Sequence, residues 1–134
     1  MKNDPLEIDG DWPDFEGKRL QQLLAQELWY QKNLEEEANV VLIKVEECWY
    51  HLYFDIGIVF WRISRDEPHE SKPEDTEEFF YHLRDLGADL DLTGRVIQSC
   101  TAKAIPGGVE VEFRFEGGKK ISFKNVDNLT RYET

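Results

Sequence analysis

The sequence predicts a mainly β or α+β fold: two pseudo-symmetric antiparallel strand meanders, arranged as a small barrel or curved sheet, with one inserted helix. Three observations carry that expectation. The chain repeats itself, its second copy alternates apolar and polar residues with a period of two, and a helical stripe lies between the copies.

The repeat is read by aligning Asp14-Phe-Glu-Gly17-Lys-Arg-Leu20-Gln21-Gln-Leu-Leu-Ala25 with Asp91-Leu-Thr-Gly94-Arg-Val-Ile97-Gln98-Ser-Cys-Thr-Ala102. Asp, Gly, Gln and Ala are identical, and Phe/Leu, Lys/Arg and Leu/Ile are conservative. The match resumes in the same order, Val45–Cys48 against Phe115–Gly118 and Leu52–Phe54 against Ile121–Phe123. The copies span 14–63 and 91–131 of one domain, 1–134.

The second copy reads as a meander. Val96–Ile105 is rich in small and β-branched residues and ends at Pro106-Gly107-Gly108. Val109, Val111, Phe113 and Phe115 then alternate with Glu110, Glu112, Arg114 and Glu116, which is the pattern of a strand with one buried face. Gly117-Gly118 is a hairpin signal, and Ile121 and Phe123 return to the core.

The first copy maps onto it with a longer connection around Gln31–Ala38 and strands at Val40–Glu46, Trp49–Asp55 and Ile58–Ile63. Its opening segment, Leu20–Tyr30, is ambiguous. Leu20, Leu23, Leu24 and Leu28 fit a helical stripe, whereas Leu20, Leu24, Leu28 and Tyr30 fit one face of a strand. The repeat favours the strand.

Between the copies, Arg65–Asp75 is charged and broken by Pro68 and Pro73, the signature of a mobile loop. A helix is expected next, with Asp75 and Glu78 capping it, Phe79, Leu83 and Leu86 on one face, and Gly87 closing it. Trp49, Tyr53 and Trp61 put more aromatic surface on the first copy than a one-sided sheet should expose. Either that helix covers it, or a partner or ligand does.

The net charge of −12 over 134 residues and the pI of about 4.6 argue against a nucleic-acid backbone or an anionic membrane as partner. A basic or neutral protein fits better, and a homo-oligomer is compatible. The opening stretch MKNDPLEIDGDWPD has no apolar export signal, so Cys48 and Cys100 are expected as reduced thiols in a cytoplasmic, bacterial protein.

No catalytic or cofactor motif survives testing. Asp89-Leu-Asp91-Leu-Thr93-Gly94 resembles, over six residues, the nucleophile motif of haloacid-dehalogenase-type phosphatases. That chemistry needs the first Asp at the end of a buried parallel strand, and no βαβ alternation follows. Read instead as a calcium loop, the segment puts Cys100 where a closing Glu belongs. His51, His69 and His82 do not converge by sequence, and no cysteine or serine has an activating neighbour. The expected function is therefore non-catalytic binding through protein–protein contact, without a cofactor. Its most concrete form is an immunity or antitoxin-like protein that neutralises a basic effector. The candidate contact residues are Trp49, Tyr53 and Trp61 together with the densest acidic run, Glu35, Glu36 and Glu37. Two rivals remain: a small-molecule-binding barrel, with or without enzymatic activity, whose pocket those aromatics would line, and a structural subunit that self-associates.

Overall fold

The computed structural model describes residues 6–70 and 79–134, and they form two sheets around one core. The first copy contributes β2 (Gln22–Tyr30), β3 (Asn33–Val45), β4 (Cys48–Asp55) and β5 (Ile58–Ser64), and the second contributes β7 (Ile97–Ile105), β8 (Gly108–Phe115), β9 (Lys119–Val126) and β10 (Leu129–Glu133). Each copy is a four-stranded antiparallel meander with the same strand order. In the larger sheet β1 (Ile8–Asp9) joins β5 in parallel, and β6 (Phe79–Asp85) pairs antiparallel with β2. The sheets do not close into a barrel.

Reciprocal hydrogen bonds express the pseudo-twofold. Gly17 N–H donates to the Ile97 carbonyl at 2.9 Å, and its counterpart Gly94 donates to Leu20 at 2.7 Å. Leu20 N–H donates to Arg95 at 2.9 Å, and Ile97 donates to Lys18 at 2.7 Å. The axis passes through the bridge that pairs Arg19 with its own counterpart, Val96. The aligned apolar positions Phe15 and Leu92, and Leu20 and Ile97, are all buried there. Aligned residues thus occupy equivalent places in the fold.

The core is the space between the sheets. Val109, Val111, Phe113, Ile121 and Phe123 meet Leu23, Ala25, Val41, Ile43, Leu52, Val59 and Trp61. Along β2 they alternate with half-buried neighbours, as a pleated strand with one buried face requires, whereas Leu42, Glu110 and Ser122 between core residues of β3, β8 and β9 are buried as well. That period of two settles Leu20–Tyr30 as strand.

Two expectations are corrected. The connection at Gln31–Ala38 is only the two-residue turn Gln31-Lys32, because β3 already starts at Asn33 and carries Glu35, Glu36 and Glu37 within the strand. The inserted helix is absent at Phe79: this segment is β6, and among the described residues only Leu86–Asp89 forms a helix, α1, capped by Asp85, whose Oδ1 accepts from Ala88 N–H at 3.0 Å. Phe79, Leu83 and Leu86 satisfy a helical spacing, but the Phe-Phe-Tyr run suits a pleated surface and pairing along β2 decides the outcome. Asp75 and Glu78 lie outside the described residues, as does much of the expected loop. Its described part, Arg65–Glu70, is tied at two points. Glu67 lies 3.6 Å from the Lys44 ammonium, and Glu70 accepts from Leu83 N–H at 3.2 Å.

Carboxylates close the strand edges. Glu36 Oε2 accepts from Thr130 N–H at 2.7 Å, and Glu37 Oε1 accepts from Tyr132 N–H at 3.4 Å, which fastens β10 to β3. Glu70 does the same for β6, and Glu116 Oε1 accepts from Val96 N–H at 3.1 Å just before β7. An edge amide already engaged cannot template a foreign strand. Because Thr130 is buried, Glu36→Ala is expected to cost about 1–3 kcal/mol through its orphaned N–H. Glu36→Gln, which keeps an acceptor, should cost less; urea unfolding of both variants measures the difference.

Candidate functional site

Sequence-predicted aromatics do not assemble into one site. Trp61 faces the inter-sheet core at 2% exposure, in edge contact with Trp12 at 5.3 Å and Phe15 at 5.8 Å. Trp49 alternates onto the opposite face of the large sheet, yet it too is 2% exposed. The Lys44 ammonium sits 5.8 Å from its ring centre, held there partly by Glu67. Tyr53 shares that face, half-buried and stacked on Phe60 at 5.0 Å. With Trp61 on one face and Trp49 and Tyr53 on the other, no pocket is lined by all three. The acidic run is divided as well: Glu36 and Glu37 hold β10, and exposed Glu35 alone is left for a partner.

Several exposed apolar groups lie at the end of the molecule that holds the β2–β3, β4–β5, β7–β8 and β9–β10 turns, while Ile63 stands apart toward the other end of β5. Ile56, Leu34, Phe79, Val126 and Leu129 are all large, apolar and exposed. Leu34 and Leu129 line one groove with Glu35 and Arg131, while Val126 and Leu129 line a second. Ile56 N–H donates to Asn128 Oδ1 at 3.3 Å, which locks the β4–β5 tip onto the β9–β10 tip.

Ile56 stands out among them. It is 82% exposed and occupies the first position of a two-residue turn with φ of 48°, followed by Gly57 at 73°. Such turns favour Asn-Gly, because a side chain branched at Cβ collides with its own backbone in the left-handed region. The equivalent β9–β10 turn uses Asp127-Asn128, at 52° and 61°. At Ile56 the chain accepts both backbone strain and an apolar group in water. Exposed carboxylates flank the patch at Glu35, Asp55 and Asp127.

One polar cluster, built around the buried Glu27, escapes sequence reading. Glu27, buried on β2, lies opposite His82 in the β2–β6 register. His82 Nδ1 is 2.9 Å from Glu27 Oε1, which also accepts from Trp29 Nε1 at 3.2 Å, and His82 Nε2 is 3.6 Å from Glu70. No local signal joins residues so distant in sequence, and reading β6 as a helix hid the pairing. The cluster places no nucleophile, and among the described residues no group of three or more His, Cys, Asp or Glu could hold a metal. It clamps β6 and the segment after β5 to β2.

Asp91 sits in the left-handed region, its carboxylate 2.8 Å from the Arg95 guanidinium and 3.7 Å from the Lys119 ammonium. The Arg95 hydrogen bond, with the charges of Arg95 and Lys119, holds its carboxyl below the usual carboxylate range. Any stability this contributes is complete at neutral pH and is lost as pH falls through that lowered value. His51 is half-buried, and burial pushes its imidazole down. Cys48 and Cys100 are unbridged, and burial raises the Cys100 thiol far above the reactive range. Among the described residues no helix is long and apolar enough to cross a membrane. Compared with protein-family models, curated proteins and solved structures, the chain matches none.

Proposed function

We propose that this chain is a non-catalytic binding protein of the bacterial cytoplasm, that it acts by protein–protein contact, and that its partner is a basic effector neutralised in the manner of an immunity protein or antitoxin. The observation that carries this reading is the hairpin-tip patch of Leu34, Ile56, Val126 and Leu129, flanked by Glu35, Asp55 and Asp127, with Lys124 and Arg131 as the cations in its grooves. An apolar centre that excludes water, set within a charged rim, is how protein interfaces divide affinity and specificity. The partner should offer an apolar pocket for Ile56 and cations around it. The overall charge of −12 would steer such a partner inward and speed its association.

The test is to place a photo-cross-linking amino acid at position 56 and, as control, at exposed Lys120 near the opposite end of the molecule. In the native cell, position 56 should capture one basic protein that then forms a defined complex with the purified chain. No adduct at 56, or equal capture at 120, would contradict the reading.

A further inference from the structure

We propose that β7 is the docking edge for a second copy of this chain, pairing antiparallel with its own counterpart to join the two small sheets into one. The other edge strands are shorter, and two of them carry the carboxylate caps already described. β10 is fastened by Glu36 and Glu37, β6 has Glu70 on its Leu83 amide, and β1 is two residues long. β7 runs for nine residues, and among the described residues no strand pairs with its outer side. Gln98, Thr101, Lys103 and Ala104 are exposed along it. β7 is the longest of the edge strands, and beyond its bulge Ser99–Ile105 carries no such cap, which leaves this stretch able to receive an occupant.

The pseudo-twofold supplies the direction. β2, the counterpart of β7, receives β6 antiparallel along Leu24–Tyr30. The aligned stretch of β7 begins at Thr101 and has nothing in that place among the described residues. An antiparallel strand from outside would complete the symmetry.

Charge selects a second copy as that strand. From Ile97 to Ile105 the edge carries no carboxylate, and Lys103 is its only charge, in a molecule of net charge −12. It is thus an edge along which two such molecules can approach without setting acid against acid. Centred on Thr101, the pairing sets Thr101 against itself and Lys103 against Ser99, so no like charges face each other, and the bulge between Ile97 and Ser99 ends the paired stretch. Ser99, Cys100, Thr101 and Ala102 are small enough for close approach. Such an interface is isologous and closes as a dimer rather than a filament. One strand pair buries less than a stable obligate interface, so the dimer is weak and concentration-dependent.

Sedimentation of the purified full chain from about 1 µM to about 1 mM should show its mass rising from monomer towards twice that value, more readily at higher salt, where the acidic surfaces are screened. Thr101→Glu, which sets carboxylates face to face on the axis, should weaken association at least about tenfold. Disulfide trapping checks the register independently of that variant's folding. In a Cys48→Ser, Cys100→Ala background, Thr101→Cys should cross-link readily, because directly opposed Cα atoms lie about 4.5–5.5 Å apart. Lys103→Cys should not, because it is displaced from its mate by about 13 Å along the strands. A monomer at every concentration, as an edge reserved for a foreign peptide would give, overturns the proposal. So does a dimer undiminished by Thr101→Glu, or equal trapping at 101 and 103.

Discussion

Replacing Trp61 by alanine is expected to lower the free energy of unfolding by about 3–5 kcal/mol, the range for removing a large buried aromatic. The indole faces Leu52 across the β4–β5 pair and contacts Trp12 and Phe15 in the inter-sheet core. Its loss would leave a cavity in the inter-sheet core beside Trp12, Phe15 and Leu52. The Trp61 Nε1 is also buried and has no hydrogen-bond partner among the described residues. Trp61→Phe should therefore cost clearly less than Trp61→Ala, since it gives up volume but removes an unsatisfied donor. Urea denaturation of both variants measures this. A Trp61→Ala protein as stable as the native chain would mean that the residue is a surface group.

Ile56→Asn is expected to move stability and binding in opposite directions. Asparagine suits the left-handed turn that isoleucine strains, so the variant should unfold at higher temperature, with a gain of about 1 kcal/mol. It also deletes the most exposed apolar side chain of the hairpin-tip patch. Loss of a central anchor typically removes 2 kcal/mol or more of binding, about thirtyfold in affinity. Differential scanning calorimetry and titration against the partner cross-linked at position 56 read the two halves separately. A gain in stability with unchanged affinity would mark the strained turn as incidental.

Much of this architecture was legible because it is written locally or twice. The alternation Val109–Phe115 declares β8 without help, and Val96–Ile105, plainly extended, resolves the ambiguous Leu20–Tyr30 through the repeat. What stayed hidden depends on distant partners. Phe79 and Leu83 share a face in a helix and in a strand alike, and only β2 alongside chooses between them. Glu36 and Glu37 look like a free acidic run, but their acceptors' work lies on β10, 94 and 95 residues away. Trp49 and Trp61 are abundant aromatic surface in the sequence and buried mass in the fold, one on each side of the sheet. The candidate site did leave a trace: Asp55-Ile56-Gly57 separates two strands with isoleucine where a tight turn favours asparagine.

Amide hydrogen exchange on the complex tests the central claim most directly. The account predicts that partner binding protects the amides of Asp55–Ile58 and Val126–Leu129, and that exchange around Lys120 and Glu46-Glu47, at the opposite end, is unchanged. Protection confined to the far end, or no protection at the hairpin tips in a complex that demonstrably forms, would contradict it.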